Sequence, residues 1–226
     1  MVDIIVLSWN TLDITSDSLY ALCEYTDSLR LIVLDNGSED GTYEWLDDFG
    51  SGGKIQNKHP MVLLRNEKNV GYTKGVNQCL RVSLESEPEA IVLLNSDAFV
   101  TQGWKEAMLA AMEPDVGIVG PKVLSTNEIG FIESAGDTWI VPRPWYGCQN
   151  ISHESLSVEE PFVLSRNCCA HRSGWEQLED WNKQEDIDVA TFATVMLNPK
   201  MVREIGLLDE QFIIYFSDTE YSMRAK

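Results

Sequence analysis

The sequence predicts an α/β fold, with a mostly parallel central sheet covered by helices on both faces. Short apolar runs alternate with segments whose apolar residues recur at helical spacing, and this happens four times in succession from the N-terminus. The fourth run, Ile91 to Leu94, is continuously apolar, as suits a strand buried on both faces. It stops at a short acidic turn, Asn95-Ser96-Asp97, which places a carboxylate at the edge where open α/β sheets bind their ligands.

Taken in order, Ile4 to Leu7 reads as the first strand, and Leu12, Thr15, Leu19 and Leu22 mark the helix that follows. Leu31 to Leu34 is the second strand and ends in the turn Asp35-Asn36-Gly37-Ser38. Ser38 is placed to cap a helix carrying Trp45, Leu46 and Phe49. Gly50 to His59 reads as a polar, glycine-rich loop, Met61 to Leu64 as the third strand and Tyr72 to Leu84 as the third helix. A fourth helix starts from Thr101, with Trp104, Met108, Ala111 and Met112 on one face. Beyond it Val116 to Val119, Phe131 to Ser134 and Val189 to Leu197 read as strands, and residues 142–187 as an irregular segment of functional length. Lys200 to Ile205 is a short helix. Ser217 to Lys226 closes the chain as a helix, with Ser217 and Glu220 spaced as a capping box.

At 226 residues the chain suits one substantial domain. Seventeen Lys and Arg against thirty-six Asp and Glu give a net charge of −19. That field repels nucleic acid and anionic membrane surfaces, so neither is expected as a partner. It also repels phosphates. Like charges about 4 Å apart cost roughly 4 kcal/mol at an effective dielectric of about 20, so a phosphorylated ligand needs local cations and a metal is an effective source. The five cysteines (Cys23, Cys79, Cys148, Cys168 and Cys169) are odd in number and form no Cys-x-x-Cys, which fits a reducing, cytoplasmic setting. Met1 leads almost directly into Ile4 without a basic segment, unlike a signal peptide, and no apolar run approaches the roughly 20 residues of a membrane span.

The strand ends collect the polar groups that could carry chemistry: Ser8-Trp9-Asn10, Asp35 to Ser38, and Asn95 to Asp97. Between them lies Asn69-Val70-Gly71-Tyr72-Thr73-Lys74-Gly75-Val76-Asn77, whose glycines allow a ligand to approach the backbone and whose helix N-terminus offers N–H groups to an anion. Neither Gly-x-Gly-x-x-Gly after the first strand nor Gly-x4-Gly-Lys-Ser/Thr is present, which disfavours nicotinamide and P-loop chemistry. Asp218, in the first turn of the last helix, is the candidate general base.

These pieces together resemble the inverting GT-A glycosyltransferases of family 2, especially the rhamnosyltransferase-like branch. The resemblance rests on Ile5-Val6-Leu7-Ser8-Trp9-Asn10, on Val33 to Thr42, on Asn69-Val70-Gly71-Tyr72 and on Leu93-Leu94-Asn95-Ser96-Asp97-Ala98. Gly206 to Glu210 and Tyr215-Phe216-Ser217-Asp218-Thr219-Glu220-Tyr221 complete it, in the family's order and spacing. It implies a GT-A fold with a Rossmann-like sheet, and a nucleotide-diphosphate sugar donor, UDP- or dTDP-linked, bound across the first strand ends. By position Ser8, Trp9 and Asn10 would line the nucleoside, and Asp35 would reach the base or ribose. Asn69, Gly71, Lys74 and Ser96 would lie near the donor, with Asn95 near the ribose, residues 1–100 forming the nucleotide-binding half of the domain and 101–226 the acceptor-side half. Asp97 would hold Mn²⁺ or Mg²⁺ with the diphosphate, and Asp218 would activate a hydroxyl-bearing acceptor such as a glycan or a lipid-linked sugar.

The chain departs from the family pattern at several points. Asn95 opens the metal motif, Ser217 stands where an acid usually precedes the base, and Ala193 replaces a glycine that faces the donor sugar. The chain ends at Lys226, where relatives continue and often supply a histidine ligand; His153 and His171 are the residues that could substitute. Trp139, Trp145, Trp175 and Trp181 could stack on sugar faces or serve packing. A catalytically silent relative that binds a sugar nucleotide or glycan is the alternative reading. A nucleotidyltransferase is disfavoured, because residues 8–17 contain no glycine, Lys or Arg.

Overall fold

A computed structural model describes residues 1–52, 59–121, 123–124, 132–134, 184 and 186–226. The first half runs β1 (Val2–Ser8), α1 (Leu12–Tyr25), β2 (Leu29–Asp35), α2 (Thr42–Ser51), β3 (Met61–Arg65), α3 (Tyr72–Leu84), β4 (Ala90–Asn95) and α4 (Trp104–Ala111). The remainder comprises β5 (Ile118–Val119), β6 (Val123–Leu124), β7 (Ile132–Ser134), β8 (Thr194–Leu197), α5 (Pro199–Ile205) and α6 (Ser217–Arg224).

Six strands form the main sheet in the order β3-β2-β1-β4-β8-β5, while β6 and β7 pair separately. Strands β1 to β4 are parallel, and β8 joins antiparallel to both β4 and β5. The apolar runs of the sequence become the buried centre of this sheet because each strand is covered twice. Ile4 and Val6 pack with Leu19 and Leu22 of α1, Leu46 and Phe49 of α2 and Met108 of α4. Ile5, Ile32 and Leu34 point the other way, onto Val76 and Leu80 of α3, Val202 of α5 and Tyr221 of α6. Each such fully buried side chain stabilises the fold by about 1.5–3 kcal/mol relative to exposure. Close approach of α3 depends on Gly75, where a Cβ would lie 2.2 Å from Leu7 Cδ1 and 3.0 Å from Leu34 Cδ2.

Strand order fixes where a ligand can enter. The chain moves from β1 outward to β2 and β3, then returns to place β4 on the other side of β1. The carboxyl ends of β1 and β4 therefore flank the topological switch point, the position where open α/β sheets leave a crevice. Ser8 pairs with Asp35 and Leu7 with Asn95, so the predicted polar strand ends lie side by side on one edge.

Four local expectations need correction. The last strand begins at Thr194 rather than Val189, because Phe192 and Ala193 form a turn and the Ala190 N–H donates to Ser222 Oγ at 3.2 Å. The loop predicted from Gly50 starts later, because α2 runs through Gly50 and Ser51. Ser38 does not cap α2, since its Oγ accepts from the Asn10 N–H at 2.9 Å. Asp40 takes that role, accepting from the Thr42 N–H at 3.1 Å and, through its other oxygen, from the Leu12 N–H at the start of α1 at 3.0 Å. Nor does the Ser217/Glu220 capping box form, because Glu220 turns down the helix to pair bidentately with Arg224 at 2.8 and 2.9 Å. Among the described residues no helix is long and apolar enough to cross a membrane.

Candidate active site

The floor of the crevice is built by β1 and β2. Ser8 is fully buried, its hydroxyl bonded to Thr11 Oγ1 at 3.0 Å and Thr15 Oγ1 at 2.9 Å. Asp35 is equally buried: both carboxylate oxygens accept from the Ser38 N–H at 3.3 Å, and Arg65 Nε stands 3.7 Å away. These two residues support the strand ends from beneath and do not present their side chains to the opening. The residues after β1 do. Trp9 is 48% exposed, enough to offer an indole face to a planar ligand. Asn10 is exposed in the left-handed region (φ 53°), and its Oδ1 accepts from the Glu39 N–H at 2.8 Å.

Asn36 is the site residue that pattern reading passed over as a turn former. It is buried, and its N–H donates to the Ser8 carbonyl at 2.8 Å. Its Oδ1 accepts from Asn66 Nδ2 at 2.9 Å and from the Val70 N–H at 3.2 Å. Its Nδ2 donates to Asn69 Oδ1 at 3.0 Å and to the Gly71 carbonyl at 3.4 Å. One carboxamide thus fastens the whole 66–71 loop to the end of β2. Asn69 is engaged in the same network, since its Oδ1 also accepts from the Gly71 N–H at 2.8 Å. Gly37 makes this junction possible: it sits at φ 83°, and a Cβ there would lie 2.6 Å from the Lys68 Cα. The signal for Asn36 in the sequence was the Asn-Gly turn, which reveals the bend but not the loop it holds.

The N-terminus of α3 is not an open anion site, contrary to the sequence expectation. The Tyr72 and Thr73 N–H groups both point at the Ile213 carbonyl, at 3.1 and 3.4 Å, and the Thr73 hydroxyl donates to the Phe212 carbonyl. Asn77 adds a second clasp, exchanging hydrogen bonds with the Leu208 carbonyl (2.9 Å) and N–H (3.0 Å). The segment before α6 is therefore folded onto α3. Lys74 remains exposed with no ion-pair partner among the described residues.

Across the switch point, the Asn95 N–H donates to the Ala193 carbonyl at 2.9 Å, and the Ala98 N–H closes the turn on the Asn95 carbonyl at 3.1 Å. Asn95 and Ser96 are half-buried and Asp97 is exposed, with no hydrogen-bond or ion-pair partner among the described residues. No cluster of three or more His, Cys, Asp or Glu side chains that could hold a metal occurs among the described residues. Asp97 alone fits a hard cation that keeps water and phosphate oxygens as its other ligands, which is how Mg²⁺ is commonly held.

Asp218 lies in the first turn of α6, after Phe216, which adopts φ 64°, a conformation rare for a bulky residue. Its Oδ1 accepts from the Thr219 N–H at 2.7 Å. Burial pushes its pKa above the usual carboxylate value, against the lowering effect of the Thr219 hydrogen bonds. A carboxylate tuned in this direction is a stronger proton acceptor near neutral pH. His153, His171 and the four tryptophans Trp139, Trp145, Trp175 and Trp181 lie outside the described residues.

The sequence profile of glycosyl transferase family 2 matches residues 3–162, well over half of the chain. No curated protein sequence matches. A mannosyltransferase from Pyrobaculum calidifontis, solved in complex with GDP-Man and Mn²⁺, superposes with a TM-score of 0.59 at 13% identity. The match covers 97% of this chain and 50% of that one, so the chain spans about half the mannosyltransferase's length and the likeness is one of fold. Glucosyl-3-phosphoglycerate synthase from Mycobacterium tuberculosis, in complex with phosphoglyceric acid, gives 19% identity over 53% of this chain and 43% of that one, with a TM-score of 0.36, too low for a structural comparison.

Proposed function

Since the chain belongs to glycosyl transferase family 2, we propose that it moves a sugar from a nucleotide-diphosphate donor to a hydroxyl-bearing acceptor with inversion at the anomeric carbon. One observation carries the reading. At the switch point, where a donor would enter, Asp97 presents an exposed carboxylate that the described residues leave unpaired. In this reading Trp9 stacks on the nucleobase, Asn95 and Ser96 face the ribose, and Lys74 supplies positive charge near the diphosphate. Ser8, Asp35, Asn36 and Asn69 hold the walls of the donor site in place. Asp97 would hold Mn²⁺ or Mg²⁺, which when bound offsets the charge that develops on the leaving diphosphate. Asp218 takes the proton of the acceptor hydroxyl; the oxygen then bonds to the anomeric carbon as the bond to the diphosphate breaks. Burial of Asp218 raises its proton affinity and so favours this role.

The donor is expected to be UDP- or dTDP-linked, as in the rhamnosyltransferase-like branch; a GDP-sugar belongs in the same panel because the mannosyltransferase of similar fold was solved with GDP-Man. The small acidic ligand set at the metal motif favours a second reading, a silent relative that binds a donor without turnover. One experiment separates them: nucleoside-diphosphate release from UDP-, dTDP- and GDP-sugars, with Mn²⁺, with Mg²⁺ and with chelator, in the native protein and in Asp97→Ala. Metal-stimulated release that Asp97→Ala abolishes while its melting temperature is kept supports the transferase. Donor binding without release supports the silent relative, and metal stimulation unchanged in Asp97→Ala removes Asp97 from the site.

A further inference from the structure

The turn at Phe192 and Ala193 meets three elements that border the cleft: the end of β4, α3 and α6. The Ala193 carbonyl accepts the Asn95 N–H at 2.9 Å and so holds the first residue of the metal motif. The Phe192 ring meets Tyr221 of α6 edge-on, with centroids 6.1 Å apart at 73°, one turn of helix from Asp218. The Phe192 carbonyl is reached from α3 by the Tyr72 hydroxyl, which donates to it at 3.4 Å. Phe192 is buried, and Tyr72 is the one donor to this carbonyl among the described residues. At 3.4 Å and partly buried this is a modest bond, but one that a phenylalanine ring in the same space could not make.

We propose that Tyr72 is a positioning residue, acting through the Phe192–Ala193 turn to keep the Asn95-Ser96-Asp97 edge and the Asp218 helix in one register. Its own placement is fixed from the other side, where its N–H donates to the Ile213 carbonyl at 3.1 Å. Burial and the neighbouring Asp218 charge both raise the phenol pKa, so the hydroxyl stays a donor throughout the working pH range. The catalytic part of this inference rests on the roles proposed above for Asp97 and Asp218; the structural part stands without them.

Tyr72→Phe in the 226-residue chain tests both parts. Loss of one modest hydrogen bond should speed amide exchange at Asn95 about fivefold and leave Val92, in the middle of β4, unchanged. Transfer should lose about fivefold in kcat with donor KM held within about twofold, since register between base and donor matters in the transition state. A purely structural contact would lower the melting temperature without this split. Unchanged exchange at Asn95, or equal acceleration at Asn95 and Val92, overturns the inference. Faster exchange with unchanged kcat overturns its catalytic part. Asp218→Asn measured in parallel keeps the two failures apart: near-normal transfer in that variant would sink the base assignment and leave the exchange result standing.

Discussion

Replacing Asn36 should loosen the 66–71 loop, and two substitutions of different chemistry show how. Three of its side-chain hydrogen bonds lie between 2.9 and 3.2 Å, to Asn66, Asn69 and Val70, and a fourth, to the Gly71 carbonyl, is long at 3.4 Å. The orientation of the carboxamide is fixed by backbone groups, because only an oxygen can face the Val70 N–H and only an N–H can face the Gly71 carbonyl. At about 1 kcal/mol for each of the three shorter bonds, Asn36→Ala forfeits about 3 kcal/mol. Val70 and Asn69 are partly exposed, so water recovers some of this and about 2 kcal/mol is expected. For a chain of this size that lowers the melting temperature by about 4–8 °C. Asn36→Asp keeps the volume and both bonds at Oδ1, yet turns a carboxylate oxygen toward Asn69 Oδ1 and the Gly71 carbonyl. It also adds charge next to buried Asp35. It should cost at least as much as alanine despite its closer shape. Urea unfolding gives the stabilities, and nucleoside-diphosphate release gives donor KM, which should rise in both variants because the loop carries Asn69 and Gly71. An Asn36→Asp protein as stable as the native one would refute the assigned network.

Asp218 links activity and stability through one pKa. Its folded-state pKa lies above the ordinary 3.8, so protonated Asp218 favours the fold and that contribution is lost as pH rises through the raised value. At neutral pH the buried charge therefore costs stability, and Asp218→Asn should melt at an equal or higher temperature while losing transfer; a lower melting temperature at pH 7 would contradict the burial. The acid limb of the kcat/KM profile should likewise lie above pH 3.8 and vanish in that variant. Gly75→Ala should destabilise by about 1–3 kcal/mol in urea unfolding, because its Cβ would stand 2.2 Å from Leu7 Cδ1 and 3.0 Å from Leu34 Cδ2 and so strain the packing of α3 on β1 and β2. Donor release should fall with it, since α3 follows the Asn69–Gly71 loop directly; full stability would show that Leu7 can turn aside.

The four βα units were legible because burial on a sheet or helix face repeats along the chain. The predicted Tyr72–Leu84 helix matches α3 at both ends, and the predicted Ile4–Leu7, Leu31–Leu34, Met61–Leu64 and Ile91–Leu94 strands lie within β1 to β4. Periodicity reports only which side of an element is covered. It cannot name the partner of a polar atom, and each local correction at the site has that origin. The sequence points to Ser38 as the cap of α2, but packing sets the Asn10 N–H against Ser38 and leaves Asp40 to meet both the start of α2 and the start of α1. The Ser217/Glu220 spacing predicts a capping box, but Arg224, docked on the Ile205 and Leu207 carbonyls, draws Glu220 down the helix instead.

By itself the sequence determined the βα order, the parallel core and the set of short polar residues at the strand ends, because these depend on local alternation of apolar and polar side chains. Only the tertiary structure decided which of those residues face the cleft. Ser8 and Asp35 went under it, Trp9 and Asp97 stayed open, and the N-terminus of α3 was closed by a carbonyl from Ile213, far along the chain. The physical reason is that a hydrogen-bonding group takes whichever partner the packed elements bring within about 3 Å. Strand order and helix docking set that neighbourhood across separations that no short motif encodes.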